Sequence, residues 1–131
     1  MPQRPIEVIL MRQLASYLTI PTFVVGADGT LLFYNEPAEP LLGRRFDEAG
    51  EMGMDVWSTI FLPTDEHGSP LPPGTLPLVV ALRERRPVHK TIGITGLDGI
   101  RKIIEVTAFP IESQGDRHLG AVAMFWAAQK R

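Results

Sequence analysis

Two short apolar runs, Phe23-Val24-Val25 and Leu31-Leu32-Phe33-Tyr34, stand on either side of Gly26-Ala27-Asp28-Gly29. β-Branched and aromatic side chains suit a pleated surface. Asp-Gly supplies the turn, because Gly reaches positive φ without steric cost and Asp hydrogen-bonds its own backbone two residues on. The stretch therefore reads as a β-hairpin. Alternate residues of a strand face opposite ways, so Phe23, Val25, Leu32 and Tyr34 are expected on one face and Val24, Leu31 and Phe33 on the other. Both faces are apolar, and a sheet apolar on both sides has to be covered on both. One face must receive the connecting helices, and the other the N-terminal segment or a second subunit.

At Asn35 the strand pattern breaks. Asn is a favoured N-cap, and Pro37 has no N–H to lose in a first helical turn. Pro40 opposes a regular helix, so a short, partly 3₁₀ turn is expected. Upstream, Pro2 and Pro5 precede a run in which Ile6, Ile9, Leu10, Leu14, Tyr17 and Leu18 recur at three- and four-residue spacing, with Glu7, Arg12, Gln13 and Ser16 off that stripe. This predicts an amphipathic helix ended by Pro21, its apolar arc widened by Val8 and Met11. Packing onto its own domain and a dimer contact through Ile6, Leu10, Leu14 and Tyr17 are compatible uses of such a helix.

Residues 44–74 are the least regular part, with short helical segments expected at Phe46–Ala49 and Asp55–Phe61. Trp57 falls in the second, either as a core anchor or as a stacking surface for a ligand. Thr64-Asp65-Glu66-His67 gathers oxygen and imidazole groups, yet adjacent residues in a loop flanked by Gly68, Pro70, Pro72, Pro73 and Gly74 do not converge on one ion, and no metal site is assigned. Thr75 is placed to cap a helix with Pro77 in its first turn and Leu78, Val79, Ala81 and Leu82 buried. Its basic end, Arg83 to Arg86, meets the negative end of the helix dipole, and Pro87 stops it. Val88–Thr95, Ile100–Ile111 and Leu119–Ala128 then read as three strands separated by Gly96-Leu97-Asp98-Gly99 and Ser113-Gln114-Gly115-Asp116.

The hairpin followed by Tyr34-Asn35 and Leu41-Leu42-Gly43, then Asp65 to Pro70, Leu76-Pro77-Leu78, Leu97-Asp98-Gly99 and Val106 to Ile111, resembles a PAS domain, the sensor module of signalling proteins, from about Ile20 to Trp126. The resemblance implies an α+β fold: a five-stranded antiparallel sheet with helices inserted between strands 2 and 3, here preceded by the amphipathic helix. Residues 1–19 would form the packing or dimerisation helix and 20–131 the PAS domain.

Function then has to be argued at the site. With no cysteine, the cysteinyl-flavin adduct and the thioester-linked chromophore of light-sensing PAS types are excluded, as are disulfides and thiolate metal sites. Haem is disfavoured, because the expected helix over 75–86 carries no His and His89 is the one substitute. A pocket between the inner sheet face and the helices, lined by Phe23, Val25, Leu32, Tyr34, Trp57, Leu78 and Leu82, would suit a small apolar or aromatic ligand, with the Tyr34 phenol for orientation. The alternative is a ligand-free dimerisation module whose core fills that space. Tyr34 with Glu105 or His89 could in principle transfer protons, but no nucleophile motif or phosphate-cradling loop is present, and no catalytic residue is assigned. His118 and His89 open strands, and Glu105 shares a strand face with Thr107.

A net charge of -2 gives no reason to expect nucleic acid or an anionic membrane as partner. No apolar run approaches the ~20 residues that span a bilayer. Glu7, Arg12 and Gln13 interrupt any secretory-signal pattern, so a cytoplasmic setting is expected. A homodimer and a separate effector protein are the expected partners. Where effector-linked PAS domains commonly carry an Asp-Ile-Thr motif, this sequence reads Ala127-Ala128-Gln129 and stops at Arg131, which fits a stand-alone regulator or a fragment.

Overall fold

A computed structural model describes residues 6–113, 115 and 117–128. Pro2, Pro5, Gln114, Asp116 and the segment from Gln129 to Arg131 lie outside the described residues. Strands β1 (Thr22–Gly26), β2 (Leu31–Tyr34), β3 (Val88–Thr95), β4 (Arg101–Ser113) and β5 (Arg117–Ala127) form one antiparallel sheet in the order β2-β1-β5-β4-β3. Helix α1 (Ile6–Tyr17) precedes the sheet. The long crossover from β2 to β3 holds a 3₁₀ turn (Glu36–Ala38), α2 (Glu39–Leu42), α3 (Phe46–Ala49), α4 (Met54–Ile60), a second 3₁₀ turn (Pro73–Thr75) and α5 (Pro77–Glu84). The five antiparallel strands with helices inserted between the second and third are the architecture read from the sequence.

The hairpin turn forms for the reason its composition gives. Gly29 sits at a φ of 88°, and the Asp28 carboxylate accepts from the Thr30 N–H at 3.0 Å. The strand faces, however, differ from simple alternation. Phe23 pairs with Tyr34, Val24 with Phe33 and Val25 with Leu31, which leaves Leu32 as a bulge. A bulge sets two residues of one strand against one of its partner and so resets the alternation. Leu31 thus joins Phe23, Val25 and Tyr34 in the inner core, while Leu32 lies with Val24 on the outer face, and the expected face of each is corrected.

Helix α1 covers that outer face with the edge on which Val8 and Met11 widen its apolar arc. Val8 and Ala15 are buried and Met11 half-buried, and they pack with Val24, Leu32, Ile111, Leu119 and Val122. The Arg12 guanidinium, expected off the packed stripe, lies 5.0 Å from the centre of the Phe33 ring, so its stem and charge help hold the helix down. Ile6, Leu10, Leu14 and Tyr17 fall on the opposite side of the helix and are exposed.

Asn35 also departs from expectation. Its backbone stands at the N-cap of the first 3₁₀ turn, but its side chain makes no capping bond there. The amide group donates instead to the carbonyls of Ala15 and Ile20, each at 2.9 Å, and its oxygen accepts from the Thr22 N–H at 2.9 Å. Three chain segments are tied together by one side chain. Thr75 likewise does not cap α5: Leu76 is the N-cap residue, and the Thr75 hydroxyl donates to the Pro72 carbonyl at 2.7 Å.

Candidate functional site

The inner face of the sheet meets α4, α5 and the turn at α2. Every second residue of β3, β4 and β5 faces these helices, which brings Ile92, Ile94, Ile104, Val106, Ala123 and Phe125 into one wall. Opposite them stand Leu42, Trp57, Phe61, Pro63, Leu76, Pro77 and Leu78, with Phe23 at the β1 end. These side chains line a cavity of about 90 Å³.

The polar atoms near the wall are already engaged. Trp57 meets Phe23 edge to face with ring centres 5.6 Å apart, and its indole N–H donates to the Gly29 carbonyl at 2.8 Å. Trp57 therefore anchors the hairpin turn and lines the cavity together. Tyr34 stacks on the far side of Phe23 at 6.1 Å, and its hydroxyl donates outward to the Arg44 carbonyl at 2.7 Å. Burial, and then the nearby Glu39 carboxylate, push the phenol up to about 12. At Leu62 the backbone takes a φ of 47°, and its side chain is turned to solvent between the wall residues Phe61 and Pro63. The edge of β3 is stitched to this segment by Thr95 N–H donating to Phe61 O at 2.7 Å and by reciprocal bonds between Thr64 and Gly93.

Of the pocket residues expected from the sequence, Phe23, Trp57 and Leu78 line the cavity. Val25, Tyr34 and Leu82 belong to the same inner core but stand back from the cavity wall, and the bulge carries Leu32 to the other face. The Tyr34 phenol therefore does not orient anything inside the cavity. The sequence reading missed the isoleucines of β3 and β4 and the Ala123-Phe125 pair, although their spacing of two within apolar strands was the signal.

His89 does not reach the cavity either. It lies on the outer face, with Nε2 3.4 Å from Glu105 Oε1 and its ring 6.0 Å from that of Trp126, whose indole N–H donates to Glu105 Oε2 at 3.3 Å. Tyr34 is thus separated from Glu105 and His89 by the sheet, and the acid–base pairing considered from the sequence is not assembled. The residues present do not fit a haem or a flavin: the cavity is far too small for either, and none of its wall residues is a histidine. At the loop after α4, the Asp65 carboxylate accepts from the backbone N–H groups of Ser69, at 3.0 Å, and His67, at 2.8 Å, which hold its pKa below the usual carboxylate value.

No protein-family model matches the sequence, and no curated protein is similar to it. Solved structures are similar in fold. The PAS domain of Bordetella pertussis BvgS superposes with a TM-score of 0.64 at 16% identity, over 95% of this chain and 88% of that one. The PAS domain of a protein from Colwellia psychrerythraea gives 0.65 at 19% identity, over 94% and 99%. A LOV protein of Rhodobacter sphaeroides gives 0.72 at 10% identity, over 96% and 70%.

Proposed function

We propose that this chain, a PAS domain by its fold, is a sensory module that takes a small apolar or aromatic ligand into the cavity behind Phe23 and Trp57 and signals through a dimer. One observation carries the reading: a cavity lined by core side chains sits between the sheet and the helices of a sensor fold. A fully packed core would leave no such space, since protein interiors normally fill to crystal-like density. The dimer is supported by the exposed stripe Ile6, Leu10, Leu14 and Tyr17, which gives α1 a second apolar side beside the one it spends on the sheet.

The proposal includes a homodimer, a separate effector protein as downstream partner, a cytoplasmic setting and no catalytic step. No described helix is long and apolar enough to cross a membrane. A second reading, the ligand-free dimerisation module, draws on the same α1 stripe and differs only in leaving the cavity empty.

Native mass spectrometry of the purified protein tests both parts in one spectrum. A dimer carrying extra mass supports the sensor. A bare dimer favours the interaction module, and a bare monomer removes the dimer from the proposal.

A further inference from the structure

The cavity is walled by carbon, and that restricts the chemistry of what it holds. Among its wall residues only Trp57 has a polar side-chain atom, and that N–H is already bonded to Gly29. The backbone behind the wall is equally committed. On the sheet side, Ile92, Ile94, Ile104, Val106, Ala123 and Phe125 all pair within the β3–β4 and β4–β5 ladders, and the outward groups of Gly93 and the N–H of Thr95 on edge strand β3 are taken by Thr64 and Phe61. At the loop side, Phe61 O accepts from Thr95, Pro63 O from Leu71 and Leu76 O from Val80, while Leu76 N–H donates to Pro73. Pro63 and Pro77 have no N–H to offer. The nearest phenol, Tyr34, is turned away to Arg44.

We infer that this cavity accepts only molecules without hydrogen-bonding groups: a hydrocarbon, a halocarbon or a rare gas no larger than one six-membered ring. The inference rests on the proposed ligand-binding role and narrows its chemical class. An apolar cavity of about 150 Å³ stays dry and takes benzene or xenon. The cavity here, at about 90 Å³, sets one ring as the upper limit. A hydroxyl or carboxylate brought against this wall would give up water partners and find no side-chain replacement, because the one polar side-chain atom there, the Trp57 N–H, is already used. That loss weakens binding by roughly 5- to 150-fold for a neutral hydroxyl. Recognition then works by shape and exclusion of polarity, and phenols, alcohols, carboxylic acids and heterocycles with free nitrogen are rejected.

The test uses the whole chain, with ¹³C-labelled isoleucine methyl groups of Ile92, Ile94 and Ile104 reporting on the cavity. Xenon, benzene and phenol are added in turn, and the same titrations are run on Ala123→Leu, which puts extra carbon into the space, and on Val106→Ile, which adds one methylene should the first fail to fold. Expected are saturable shifts at these methyls with xenon and benzene, phenol at least roughly 5-fold weaker than benzene, and loss of the shifts in the filled variant. Phenol binding as tightly as benzene overturns the inference while leaving a ligand-binding cavity in place. No methyl response to xenon or benzene overturns the inference and the ligand-binding reading together.

Discussion

Replacing Asn35 by alanine tests whether one buried amide holds the N-terminal helix, the sheet and the crossover in register. Asn35 is 1% exposed and spends its side chain on Thr22 N–H, Ala15 O and Ile20 O. In the alanine variant the two carbonyls each keep one partner, Leu18 N–H for Ala15 and the Thr22 hydroxyl for Ile20. Thr22 N–H does not, and Thr22 is fully buried. An orphaned buried donor costs about 1–3 kcal/mol, and each hydrogen bond lost from a carbonyl that retains another adds about 0.5 kcal/mol at the low end of the usual range. The expected loss is therefore about 2–4 kcal/mol, out of a total that for a domain is about 5–15 kcal/mol. Equilibrium urea unfolding, followed by circular dichroism and by tryptophan fluorescence, measures it as a lowered midpoint at unchanged slope. Asn35→Asp sharpens the test, because the carboxylate can still accept from Thr22 but faces two carbonyl oxygens with no donor. Burial beside those oxygens raises the folded-state pKa above the unfolded value of about 3.9. The penalty should then be smallest below about pH 4 and grow as pH rises toward the folded pKa. An alanine variant that loses less than about 0.5 kcal/mol, or an aspartate variant with no pH dependence, would refute this account of the site.

Three further outcomes are expected. Tyr34, whose pKa is pushed up to about 12, favours the folded state fully below pH about 10, and that contribution is lost as pH climbs through its folded pKa; alkaline unfolding should weaken this dependence in Tyr34→Phe, which also costs about 0.5–1.5 kcal/mol for the bond to Arg44. Both ring nitrogens of His118 are buried without a hydrogen-bond partner among the described residues, so His118→Leu should leave stability unchanged or raise it by about 1 kcal/mol in the same urea assay, and a loss above that size would mean the ring is satisfied in solution. Leu10→Glu with Leu14→Glu alters exposed positions and should keep the thermal transition while converting a dimer to monomer in light scattering; a dimer that survives both charges removes α1 from the interface.

The architecture was legible in the sequence because its signals were local. Asp28-Gly29, the apolar runs and the prolines each act within a few residues, and they placed five strands and the helical crossover. The misplacements came from effects that depend on partners far along the chain. Whether Leu31 or Leu32 faces inward is decided by a bulge against β1, and alternation within β2 alone carries no sign of it. Asn35 was read as a cap because capping is what Asn does next to a helix start, but the Thr22 N–H and the carbonyls of Ala15 and Ile20 are brought to it by the docking of α1. On α1 itself, periodicity leaves open which edge packs on the sheet; docking selects the Val8, Met11 and Ala15 edge and leaves Ile6, Leu10, Leu14 and Tyr17 exposed. The cavity wall was half visible for the same reason: Phe23, Trp57 and Leu78 stood out singly, while the β3 to β5 wall is a property of strands aligned by tertiary pairing.

The cavity and α1 lie on opposite faces of the same two strands, and this bounds how one can affect the other. On β1, Phe23 faces the cavity and Val24 the outer cluster beneath α1; on β5, Ala123 faces the cavity and Val122 that cluster. None of the residues in the cluster under α1 is a cavity-wall residue. An amide gains protection from a bound ligand only when the opening that exposes it also empties the cavity. At a free ligand concentration ten times Kd, such amides slow about tenfold, whereas amides exposed by other openings do not change. This separation predicts that helix α1 lifts from the sheet with the cavity intact. Hydrogen exchange with and without benzene should show β1 and β5 slowed and α1 unaffected. In that case any signal reaching α1 travels as a shift of β1 and β5 beneath it, with Phe23 and Ala123 as the contacts that sense the ligand. A tenfold slowing in α1 as well would refute this separation and mean that helix, sheet and cavity open as one unit, with the Asn35 hydrogen bonds the most direct link between them.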